Sequence, residues 1–222
     1  MAGFLAGCGS AGPTDAGGCT AQTRSVRDAR VLVRADLDGD GRSDRLGVTG
    51  DSGPCPDALV ARVGHGFATL ALGRRHLVPS AVTLVQLPGR PGLLLSAREA
   101  RPHGFQLHLY AYSGGRLGEL RDARGEPVVP FVVTGARSTR VSTSCGRHTI
   151  VVERAVAHEP PGVVFAWDVR RTTLTVSGAR VSGQHTVEVA DNVLPADLAK
   201  RYPDVVHQVF FRDCAAATPL AQ

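Results

Sequence analysis

Nine consecutive residues, Asp36-Leu37-Asp38-Gly39-Asp40-Gly41-Arg42-Ser43-Asp44, carry the strongest chemical signal in the chain. Carboxylate oxygens are hard ligands, and Ca²⁺ takes six to eight of them, which a short loop supplies by offering a side chain at every second position. Asp36, Asp38, Asp40 and Asp44 fall at positions 1, 3, 5 and 9 of such a loop, with the backbone carbonyl of Arg42 at position 7. Gly41, at position 6, can take the sharp turn without a Cβ penalty. Without a cation the four charges repel one another at short range, so the spacing predicts a calcium loop rather than an Asp/Gly-rich surface turn.

The loop departs from an EF-hand. A bidentate Glu belongs at position 12 and helices on both sides, whereas position 12 is Gly47 and the flanks are Val31–Ala35 and Arg45–Thr49, short and rich in β-branched residues. The pattern is strand, calcium turn, strand. In this it resembles the calcium loops of FG-GAP/VCBS-type repeats, the modules of integrin-α-like β-propellers. The resemblance implies side-chain ligation by Asp36, Asp38, Asp40 and Asp44 and carbonyl ligation by Arg42. That family repeats its motif, and this chain has one copy.

Leu5-Ala6-Gly7-Cys8 looks like a bacterial lipobox, which implies that Cys8 becomes a lipidated first residue and anchors the protein to the outer face of the cell membrane. Seven residues before Cys8 are too few for a charged region and an apolar core, so the reading places the true start upstream of Met1. The expected organisation is a signal remnant over 1–8, a flexible tether over 9–25, a single domain over 26–216 and a tail over 217–222. The other four cysteines, Cys19, Cys55, Cys145 and Cys214, are even in number and contain no CxxC, which in an exported chain reads as two disulfides. Of three connectivities, Cys19–Cys55 with Cys145–Cys214 is favoured, and the sequence leaves the others open.

With 222 residues, 26 glycines and 14 prolines, the chain favours one all-β domain of many short antiparallel strands, propeller-like or a sandwich, with one short helix from Pro195 to about Tyr202 stopped by Pro203. Val205–Arg212 reads as a last strand. Runs at 163–170, 172–176, 179–182 and 186–189 read as separate short strands. No run of eighteen apolar residues predicts a membrane-spanning helix. The net charge of +5 comes almost wholly from arginine, with Lys200 the only lysine, a mark of GC-rich coding as in actinobacteria. Acids lie among the arginines and no aromatic-interleaved basic cluster occurs, so the pattern points to a diffuse solvated surface and away from nucleic acid.

Other constellations carry less. Gly50-Asp51-Ser52-Gly53-Pro54 is like the nucleophile run of trypsin-type proteases, but no histidine precedes it. His158-Glu159 reads as a solvated loop tip, and His103 and His108 as unrelated histidines. Gln106–Tyr112 alternates, so that His108, Tyr110 and Tyr112 are expected on the polar face of a half-buried strand, where they could dock a sugar or a protein. The function expected from the whole is a non-catalytic binding or structural module of the cell envelope, meeting an envelope polymer or protein. The alternative is a secreted hydrolase of envelope polysaccharide or protein.

Overall fold

A computed structural model of the chain describes residues 19–20, 23–72, 77–89, 94–101, 104–130, 132–134, 138–159 and 165–216. Cys8, the proposed tether up to residue 18, His103 and the tail over 217–222 lie outside the described residues. The fold is all-β, as expected, with three short helices among the described residues.

The first sheet is a meander of β1 (Arg30–Ala35), β2 (Asp44–Val48), β3 (Ala58–Val63) and β4 (Gly66–Ala71), each antiparallel to the next. A four-residue helix, α1 (Arg24–Arg27), precedes it. The second sheet holds β5 (Leu77–Gln86), β6 (Leu94–Arg101), β7 (Gly104–Ser113) and β8 (Arg116–Glu119) in order, with β9 (Val132–Thr134) also pairing β7. The third is a second pure meander, β10 (Thr139–Gly146), β11 (Thr149–His158), β12 (Ala166–Ser177) and β13 (Arg180–Val193).

The second sheet lies between the other two. Alternate residues of a strand point to opposite faces, and here each face meets its own core. Val85, Leu94, Leu107, Leu109 and Ala111 pack with Val141, Ile150, Val152, Leu174 and Val176 of the third sheet. Leu84, Leu95, Tyr110 and Leu117 pack with Val33, Leu46, Leu59, Ala61 and Val63 of the first. This is why Leu84-Val85 and Leu94-Leu95 are unbroken apolar pairs rather than alternating ones.

That arrangement overturns the expectation of an exposed face on β7. His108 and Tyr110 are fully buried and Tyr112 is half-buried, because the face read as polar is covered by the first sheet. His108 Nδ1 lies 2.8 Å from Glu119 Oε1, which satisfies both groups inside the core. Glu119 stands directly opposite Tyr110 across the β7–β8 hairpin.

Two further corrections concern the C-terminal half. From Ala166 on, the runs at 163–170 and 172–176 belong to one twelve-residue strand, β12, and from Arg180 on, those at 179–182 and 186–189 belong to the fourteen-residue β13. The expected strand at 205–212 is instead α3 (Pro203–His207) followed by an irregular segment. The expected helix is present as α2 (Pro195–Arg201), and Pro203 both ends it and opens α3. Leu198, Tyr202 and Val205 then recur at helical spacing and pack with Trp167, Val169 and Val193 against the third sheet.

Past α3, the chain laces the free edge of β10. Thr143 N–H donates to Val209 O at 3.0 Å and Cys145 N–H to Arg212 O at 2.9 Å. Cys214 closes a disulfide to Cys145, and β14 (Ala215–Ala216) then pairs with Val85 and Gln86 of β5. The second disulfide joins Cys19 to Cys55. Both are the favoured pairs, and they span 36 and 69 residues.

Removing the carboxylate of Glu119 takes away the 2.8 Å partner of the buried His108 Nδ1. Glu119→Ala should therefore lower unfolding stability by about 1–3 kcal/mol, read as a shifted denaturant midpoint at constant slope. An unchanged midpoint would refute the pairing.

Candidate metal centre

The acidic loop connects β1 to β2 and is fixed at both ends by burial. Leu37 is 4% exposed and joins the core between the first two sheets, pinning the loop from beneath. Asp44, the first residue of β2, points inward and is buried. Its Oδ2 accepts the Leu37 N–H at 2.9 Å, and its Oδ1 accepts the Gly64 N–H, in the β3–β4 turn, at 3.2 Å. Asp44 thus ties the loop to the neighbouring hairpin.

Above these anchors the backbone curls around Asp36. Its Oδ1 accepts N–H bonds from Gly39 at 2.6 Å and Asp40 at 3.1 Å, and its Oδ2 accepts from Gly41 at 2.8 Å. The Arg42 N–H donates to Asp40 Oδ1 at 2.7 Å. Gly39 and Gly41 sit at φ 87° and 84°, the left-handed region that the curl requires and that glycine enters freely.

One carboxylate oxygen from each of Asp36, Asp38 and Asp40 lies within 4.8 Å of the others. That is about the span of two ligand bonds across a calcium ion, at ~2.4 Å each. The donor set is all oxygen and the loop is exposed, so its chemistry suits a hard cation that keeps some water. Asp44, also expected as a ligand, is not one of the convergent three, and both its oxygens accept backbone N–H bonds. Arg42 is exposed at the loop's end.

The charges perturb one another in a consistent way. Burial pushes the Asp36 carboxyl up, but the N–H groups of Gly41, Gly39 and Asp40 outweigh it and hold the pKa below the ordinary 3.8. Asp38 is raised above 3.8, by loss of solvent and by the negative charges of Asp40, Asp44 and Asp36. Tyr112 of β7 is also raised, by burial and then by Asp38 and Asp44. Its ring therefore borders the acidic loop, a neighbour that sequence reasoning assigned to a different surface.

Among the described residues the remaining constellations do not assemble a reaction centre. Ser52 is exposed in the loop between β2 and β3, with no hydrogen bond to a histidine among the described residues. His158 ends β11 instead of tipping a loop. Its Nε2 lies 3.1 Å from Asn192 Oδ1, and its Nδ1 is 3.6 Å from Asp168. Those two partners were invisible without the register of β11, β12 and β13. Two surface hollows offer no carboxylate pair: one is lined by arginines and the other contains a single acid, Asp122.

Compared with family models, curated proteins and solved structures, the chain matches none.

The roles of Asp44 and Asp38 separate by mutation in chelator. Asp44→Ala leaves two backbone N–H groups without acceptors and should cost about 2–4 kcal/mol. Asp38→Asn should melt no earlier than wild type. A carboxyl with a raised folded pKa destabilises the fold once ionised, so any gain in Asp38→Asn should vanish as the pH falls through that pKa, above 3.8. Wild-type stability in Asp44→Ala would sink the anchoring role.

Proposed function

We propose that the chain is a non-catalytic binding or structural module of the cell envelope whose all-β domain is steadied by calcium. Asp36, Asp38 and Asp40 supply side-chain oxygens and Arg42 its carbonyl, in the manner of the FG-GAP/VCBS-type loops that the turn resembles. A lipid on Cys8 holds the domain at the outer face of the membrane. The observation that carries the calcium reading is the convergence of three carboxylate oxygens within 4.8 Å on a backbone already curled by its own hydrogen bonds. Two disulfides favour an oxidising compartment and so agree with export.

The loop's anchoring explains why the expected effect is modest. Asp44 and Leu37 already tie the turn to the core by hydrogen bonds and burial, so calcium adds to an anchoring that protein groups supply. Extracellular modules commonly bind with Kd of order 10⁻⁴–10⁻³ M, which at millimolar calcium contributes about 0.4–1.4 kcal/mol.

Millimolar calcium should therefore raise Tm by a few degrees, and a chelator should reverse the gain. Magnesium should substitute poorly, because its small octahedral shell does not suit a flexible carboxylate loop. Asp38→Ala and Asp40→Ala should each abolish the response. A wild type unmoved by calcium and free of calcium on metal analysis would overturn the reading.

Anchoring is tested separately. Expressed behind a complete lipoprotein signal peptide, the chain should partition with membranes, and Cys8→Ser should release or misprocess it, since each buried CH₂ of an acyl chain contributes ~0.8 kcal/mol. Equal membrane association of the two forms would remove the lipid anchor.

A further inference from the structure

In sequence the arginines are scattered, but the fold gathers four of them on one face. In the first sheet Arg34 stands directly opposite Arg45, and Arg45 directly opposite Arg62. Residues directly opposite in antiparallel strands project from the same face, here the outer one, and all three are exposed. The other half of that face is covered: α1 and the Cys19–Cys55 disulfide pack over Ala58 and Val60. Where cover and bare sheet meet there is a hollow of about 80 Å³, floored by Val31, Gly47 and Val60 and walled by Arg27, Arg45 and Arg62.

Like charges directly opposite one another destabilise a sheet. In the third sheet Arg171 is neutralised by Glu153 at 2.6 Å, and Arg170, which stands opposite Arg154, meets Glu188 at 3.8 Å. Arg27, Arg34, Arg45 and Arg62 make no ion pair with an acid among the described residues. Arg62 is also held in place, its Nη2 donating to the Val26 carbonyl at 3.1 Å. Gly47 keeps the floor low, since a Cβ there would lie 2.8 Å from the Arg30 carbonyl oxygen.

We propose that this hollow binds a tetrahedral phosphate-type oxyanion, clasped by Arg27, Arg45 and Arg62 with Arg34 at its rim. Guanidinium forks match such an anion in charge and in paired-donor geometry. The site is on the opposite side of the first sheet from the inward-facing Asp44, and it does not depend on calcium.

The test is thermal unfolding in chelator, with inorganic phosphate against sodium chloride at matched ionic strength. Phosphate should raise Tm beyond chloride. Arg45→Gln should melt higher than wild type without phosphate, through relief of repulsion, and Arg45→Gln/Arg62→Gln should lose the phosphate response. If that variant fails to fold, Arg27→Gln should by itself weaken the phosphate titration about tenfold, the effect of one lost charge-assisted contact. With the response established, phosphatidylglycerol vesicles whose binding phosphate competes away would identify a lipid headgroup as the source, and glycerol phosphate without vesicle binding a soluble ester. Equal effects of chloride and phosphate, or a double variant that keeps the response, would overturn the site. Binding of a single-stranded oligonucleotide with phosphate inert would also overturn it, in favour of a diffuse basic surface.

Discussion

Burial of the second sheet on both faces is the constraint on which the rest of the structure depends. A strand covered on one side can leave its polar residues to water. A strand covered on both must satisfy each polar side chain inside the protein or lose the desolvation energy of that group. The His108–Glu119 bond is the result on β7 and β8. The same geometry requires the first and third sheets, because neither face of the middle one could remain exposed without opening a core. The third sheet has its own cover on its far end, where α2 and α3 pack on Trp167 and Val169.

The β1–β2 hairpin shows how a two-residue period sorts charge. Asp44 and Arg45 are neighbours in sequence, yet one turns into the core and the other onto the outer face. The inward carboxylate organises the loop backbone, while the outward guanidinium joins a row of its own sign. The Cys19–Cys55 bridge contributes to the second arrangement by holding α1, and with it Arg27 and the Val26 carbonyl, beside that row. A bond that appears purely architectural thus also sets the geometry of a charged surface.

Local features were the most legible in the sequence. Alternation, turn residues and the Asp/Gly spacing located the β1–β2 hairpin and its acidic loop, because both are determined within about ten residues. The favoured cysteine pairs are the ones that form, although the sequence left the other connectivities open. What could not be read depends on partners distant in sequence. Tyr110 and His108 looked solvent-facing because the first sheet, which covers them, lies dozens of positions away. The arginine row is spread over Arg34, Arg45 and Arg62 and becomes visible only through strand register. At the C-terminus, β-branched Val205 and Val206 suggested a strand. The spacing of Leu198, Tyr202 and Val205 was the better guide, and Pro203 concealed it by appearing to end the helix it restarts.

Nearly every strand pairs with its neighbour in sequence: β1 through β4, β5 through β8 and β10 through β13 each form a meander. Most pairings therefore close short loops, which lose little chain entropy, and each sheet can zip from its own hairpins before the layers dock. The slow, non-local part of folding is confined to a few events. The C-terminal segment must find the edge of β10, β14 must reach β5, and Cys214 must meet Cys145 across 69 residues. Because β14 follows Cys214 immediately, oxidation of that pair brings the last strand to its partner. The final closure of the domain is therefore coupled to thiol oxidation as well as to hydrophobic collapse.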